Sequence, residues 1–120
     1  MSQPEFNRSV LARFGYALSG LKHAFKKENH LRFHCFAAVV VFLAALILHV
    51  SLADWCLLLL LIALVIITEL VNTAIERVVD LVTLEKHPLA KEAKDIAAGA
   101  VLVSAAISVV VGSLIFIKYL

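Results

Sequence analysis

Three long apolar runs constrain this chain more than any other feature. They are Cys35 to Leu48, Trp55 to Ile67 and Ile96 to Ile117. A backbone in hydrocarbon has to satisfy its own N–H and C=O groups, which a helix does within one segment. A spanning helix takes about 20 apolar residues, and the third run reaches that length alone. The first two reach it with their flanks, Phe33 to Val50 and Trp55 through the segment TELVNTA. Composition agrees: 62% of residues are hydrophobic and the mean hydropathy is +0.98, whereas soluble domains are nearer half apolar. The expected fold is an all-α membrane protein of one domain, 1–120. It has a surface helix over 7–28 and membrane helices over 33–50, 55–83 and 95–117. No Gly or Pro interrupts Trp55 to Thr83, so the second span should continue beyond the hydrocarbon into the cytoplasm.

The net charge of +2 decides nothing, but its distribution does. Arg8, Arg13, Lys22, Lys26, Lys27 and Arg32 precede the first span, and Arg77, Lys86, Lys91 and Lys94 lie between the second and third. The loop from His49 to Asp54 has no Lys or Arg, and only Lys118 follows the third span. By the positive-inside rule the N-terminus and the Arg77–Asp95 segment are cytoplasmic. The first thirty residues carry a charge every few positions, so no secretory signal is expected. Leu11, Phe14, Leu18, Leu21 and Phe25 alternate in steps of three and four, the stripe of an amphipathic helix. A basic helix of this kind just before a span fits the membrane interface. Trp55 belongs at the outer headgroup belt.

The polar stripe TELVNTAIERVVD, Thr68 to Asp80, follows thirteen uncharged residues. Glu69, Asn72, Glu76 and Asp80 fall at i, i+3, i+7 and i+11, one face of a helix. Charge at the edge of a spanning helix is costly and invites a functional reading. Three readings stand: a solvated helix end with only Glu69 to explain, a proton or cation carrier, or a metal-linked site at the interface. Position speaks against the carrier, whose carboxylate belongs near the midplane. Carboxylates beside Asn72 and Thr73 offer hard oxygens that suit Mg²⁺. No phosphate-binding loop or protein-kinase motif set is present, so the residues alone do not lead to ATP. Cys35 and Cys56 lack metal-site spacing and read as small buried hydrophobes. His30 and His34, at i and i+4, read as interfacial structural residues. In the third span Ala100, Ser104, Ser108 and Gly112 recur every fourth residue, a packing row for membrane helices.

The segment ELVNTAIERVVD, Glu69 to Asp80, resembles the signature of the small prokaryotic diacylglycerol kinases, which are integral-membrane lipid kinases. HPLAKEAKDIAAGAVL, His87 to Leu102, resembles the second motif of that family, and the Glu28 region fits as well. With RFHCFAA from Arg32, it looks more like the undecaprenol-kinase branch. The resemblance implies a homotrimer of three-span subunits in the bacterial inner membrane, with sites shared between chains and no nucleic-acid partner. The implied reaction moves the γ-phosphate of Mg²⁺–ATP to the hydroxyl of a membrane lipid, undecaprenol in preference to diacylglycerol. It implies Glu69 as general base with Asn72 as its polar neighbour, and Glu28 and Glu76 as metal ligands that also contact the nucleotide. It implies nucleotide contacts at Tyr16, Glu85, His87, Lys94 and Asp95, and Asp80 closes the signature. Some relatives carry an arginine where this chain has Ser9, which leaves that role open, with Arg8 and Arg13 as the candidate substitutes. A small proton- or cation-coupled transport subunit is the alternative of another class.

Overall fold

A computed structural model describes residues 9–120, and Arg8 lies outside them. The described residues form four helices: α1 Val10–Lys27, α2 Asn29–Ile47, α3 Leu52–Val82 and α4 Pro88–Ile117. The last three are each long and apolar enough to cross a membrane. Together with the apolar residues on their outer faces, they make this a multi-pass membrane protein.

Each boundary has a local cause. Ser9 caps α1 by accepting a hydrogen bond from the Ala12 N–H at 3.2 Å, so the position lacking the arginine of some relatives serves the helix start. Lys26 and Lys27 occupy the last turn of α1, where cations suit the carbonyl end of the helix dipole. Glu28 is at once the last cap of α1 and the first of α2, in extended conformation. Arg32 secures this corner by donating to the Phe25 and Lys26 carbonyls at 2.8 and 2.7 Å and to Asn29 Oδ1. The α2–α3 turn places His49 at φ 51°, the left-handed conformation that often follows a helix.

Ser51 caps α3 through the Asp54 N–H, and α3 then runs unbroken through the polar stripe. Its 31 residues span roughly 46 Å at 1.5 Å per residue, against about 30 Å of hydrocarbon. Helix α4 begins at Pro88 rather than Asp95. The reason is chemical: His87 Nδ1 accepts from the Leu89 N–H at 3.1 Å, and Pro88 occupies the first turn, where its missing N–H costs nothing. The segment that leads to the third span is therefore already helix.

Helices α3 and α4 form the main packing layer. The face of α4 turned inward carries Ala97, Val101, Ser104, Ser108, Val111 and Ile115, while Ala100 is exposed. Steps of four advance a helix by about 40° each time, so the expected row at every fourth residue drifts off the interface. Alternating steps of four and three hold it there. Ser104 is the buried polar member of this face, bonded to Thr68 across the interface at 2.8 Å, and Ser108 donates to the Leu61 carbonyl at 3.4 Å. Ala45, Val50, Leu58 and Ile115 form the buried apolar cluster near the α2–α3 turn. Beside it Trp55 meets Phe42 edge to face at 5.0 Å. Cys56 is exposed and Cys35 half-buried, so neither is the fully buried hydrophobe that the sequence suggested. Among the described residues nothing covers the amphipathic stripe of α1, and the one buried residue of that helix, Ala24, lies off the stripe.

Candidate active site

The site forms at the end of α3 remote from Ser51, because the apolar run ends there in residues of two kinds. Glu69, Asn72 and Thr73 are buried, the first two at 4% and 9% exposure. They face inward at i, i+3 and i+4. One turn further, Glu76 is half-buried, and its Oε1 accepts from Asn72 Nδ2 at 3.3 Å. Asn72 Oδ1 is enclosed and has no hydrogen-bond partner among the described residues. A buried carbonyl oxygen without a donor costs roughly 1–3 kcal/mol, so it is a notable vacancy in an otherwise well-bonded helix.

Glu69 faces α2. Its Oε2 lies 3.7 Å from His34 Nε2, at ion-pair rather than hydrogen-bond distance. His34 therefore stands beside the acidic stripe, where sequence reasoning assigned it only an interfacial structural place. The signal available was its position immediately before the first apolar run, which says nothing of a partner on another helix. Below the stripe, Arg77 Nη2 donates to Glu28 Oε1 at 2.8 Å, and Lys94 Nζ to Asp80 Oδ1 at 2.6 Å. These two pairs tie the α1–α2 corner and the start of α4 to the same end of α3. Arg77 had been read only as an orientation charge.

The remaining candidates belong to α1, to the turn after α3 and to the start of α4. Tyr16 and Arg13 are exposed on α1. Glu85 is in the exposed turn after α3, its N–H bonded to Thr83 Oγ1. The His87 ring is engaged as the cap of α4, and Asp95 pairs with Lys91 at 2.5 Å. Among the described residues, no three His, Cys, Asp or Glu side chains converge into a preformed cage. The oxygens of Glu76 and the unpartnered Asn72 Oδ1 fit a hard cation that brings phosphate oxygens of its own, which Mg²⁺ typically does.

An apolar groove of about 750 Å³ runs between α2, α3 and α4, from His34 beside Glu69 toward Leu58 and Phe116 at the Ser51 end. Leu58, Val65, Ala105, Gly112 and Phe116 line it, and His34 is the one ionisable side chain in its wall.

A helical membrane protein with an acidic, partly unsatisfied stripe at one end of its longest helix is the class this geometry defines. The sequence model for prokaryotic diacylglycerol kinase matches residues 15–116, and the chain belongs to that family. It is 43% identical over 97% of its length to an undecaprenol kinase of Bacillus subtilis, covering 94% of that protein. It is 46% identical over 87% of its length to a diacylglycerol kinase of Synechocystis, covering 60% of that longer protein. A diacylglycerol kinase of Pseudomonas aeruginosa is 40% identical over 78% of this chain and is covered over 76% of its own length.

Proposed function

We propose that the protein is a lipid kinase that transfers the γ-phosphate of ATP to the hydroxyl of a membrane lipid alcohol, with undecaprenol the preferred acceptor. The observation that carries the reading is the buried Glu69 carboxylate, one helical turn from Asn72 and two from Glu76, where an apolar helix emerges from its hydrocarbon stretch. Kinship with lipid kinases supports the reaction class. The near-complete overlap with an undecaprenol kinase supports the acceptor. Diacylglycerol is the second reading, favoured by the relatives named for it. A transport subunit is not favoured.

Phosphoryl transfer asks a protein for positioning and charge neutralisation more than for covalent chemistry. Glu69 takes the proton of the lipid hydroxyl. The oxygen so freed bonds to the γ-phosphorus, the bond from that phosphorus to the β-bridging oxygen breaks, and ADP leaves. Asn72 orients the neighbouring Glu76, and Lys94 supplies a positive charge to the nucleotide, for which it exchanges its Asp80 partner. Tyr16, Glu85, His87 and Asp95 complete the nucleotide's surroundings. Glu76 and Glu28 would hold Mg²⁺, which neutralises phosphate charge when bound. Glu28 joins them only as Arg77 releases it.

The positive charges support a cytoplasmic N-terminus and a site at the cytoplasmic face of the bacterial inner membrane. Lipid then arrives sideways and ATP from the water at one face. The family resemblance supports a homotrimer with shared sites. The test offers labelled ATP, Mg²⁺, undecaprenol and diacylglycerol side by side in mixed micelles. Preferential label in the polyprenol supports the reading. Preferential label in diacylglycerol replaces the acceptor, and no label in either lipid refutes the kinase assignment.

A further inference from the structure

We propose that His34 is a positioning residue for Glu69, holding one carboxylate oxygen so that the other meets the acceptor hydroxyl. This rests on Glu69 being the base. Three observations point to it. His34 Nε2 lies 3.7 Å from Glu69 Oε2, and among the described residues no other basic side chain comes within ion-pair distance of that carboxylate. The Phe33 ring meets the imidazole edge to face, with centroids 5.6 Å apart and planes at 73°, which restricts its rotation. Among the described residues, His34 is also the one ionisable side chain in the wall of the apolar groove, so the imidazole stands where hydrocarbon gives way to the carboxylate.

A glutamate at the end of three rotatable bonds does not choose its own orientation. Burial limits the space open to it but does not select which oxygen faces the substrate. A donor on a second helix does select. An N–H from α2 aimed at Oε2 leaves Oε1 to accept the proton, and it ties the base to α2 rather than to α3 alone. The distance is longer than a hydrogen bond. Catalytic contacts are often long in the free enzyme and tighten when substrate is bound.

The test compares His34→Leu with His34→Gln in the full-length protein, with Mg²⁺–ATP and whichever lipid proves the better acceptor. Leucine suits an apolar wall and has no donor; the glutamine amide can reach the same oxygen. The expected result is a kcat lowered about tenfold or more in His34→Leu, an unchanged KM for ATP and an unchanged thermal midpoint. Most of the kcat returns in His34→Gln. Wild-type kcat in His34→Leu overturns the proposal, and so does equal loss in both variants, because then the donor is not what matters. Glu69→Gln separates the two levels of argument. If Glu69→Gln is inert beside an active His34→Leu, only the positioning role falls. A fully active Glu69→Gln removes the base and this inference with it.

Discussion

Asp54 and Glu69 are carboxylates on the same helix, each 4% exposed, and their surroundings differ sharply. Asp54 accepts from Lys118 Nζ at 3.0 and 2.9 Å through its two oxygens and also from the Tyr119 hydroxyl. The same hydroxyl accepts from the Ser51 N–H at 2.9 Å. This end is closed, with the buried apolar cluster directly beneath it. Glu69 meets an imidazole beyond hydrogen-bond range, and Asn72 nearby keeps an oxygen with no donor. Buried polar groups are normally satisfied, and exceptions ask for a reason. The comparison teaches that burial alone does not mark a site. Burial with unused hydrogen-bonding capacity does. One end of α3 is finished as structure, and the other keeps hydrogen-bonding capacity that the described residues do not use.

The sharpest way to break this contrast is to neutralise the open end. Glu69→Gln and Glu76→Gln should each lower kcat by about a thousandfold and leave the thermal midpoint unchanged; steady-state phosphate transfer and unfolding in detergent measure both. Asn72→Leu is next. It removes the unpartnered oxygen, so the thermal midpoint should hold or rise, while kcat falls by about tenfold or more. A fall in both would mean that the oxygen has a partner in the membrane-bound protein.

Asp54→Asn tests the closed end and should do the reverse, lowering the thermal midpoint by several degrees while the folded protein keeps its kcat. A pH scan adds a sign. The Asp54 carboxylate raises the Lys118 pKa above the ordinary 10.5. Its contribution is therefore complete below that value and is lost as pH rises beyond it through the raised one. Wild-type stability should fall in that alkaline range more steeply than that of Asp54→Asn. The smallest effect belongs to Arg77→Gln. Its pair with Glu28 is solvent-exposed on the arginine side, so stability should change by less than about 1 kcal/mol. Freeing Glu28 should lower the Mg²⁺ concentration needed for half-maximal rate; an increase would show that Arg77 itself serves the site.

Much of this was readable in the residues. The apolar runs announced the membrane helices, since hydrocarbon leaves a backbone few choices. The i, i+3, i+7 spacing put Glu69, Asn72 and Glu76 on one face because helical geometry is local. Contacts between distant segments were not readable. Nothing near Asp54 names Lys118 or Tyr119, which lie more than sixty positions away in the chain. Glu28 does not announce Arg77, nor His34 Glu69. The inward face of α4 was half legible: Ser104 and Ser108 belong to it, but Ala100 does not, because the partner helix and not the residue size selects the stripe.

The unbroken course of α3 turns the helix into a ruler. Its clasped end fixes the origin at Asp54, and fifteen residues later, roughly 22 Å along the axis, stands Glu69. The depth of that carboxylate is thus written as a residue count, with no hinge to adjust it. A bilayer of different thickness has to thin, thicken or tilt the helix to meet that mark. The enzyme should therefore gauge the membrane around it, working best in lipids whose acyl chains match the distance it measures.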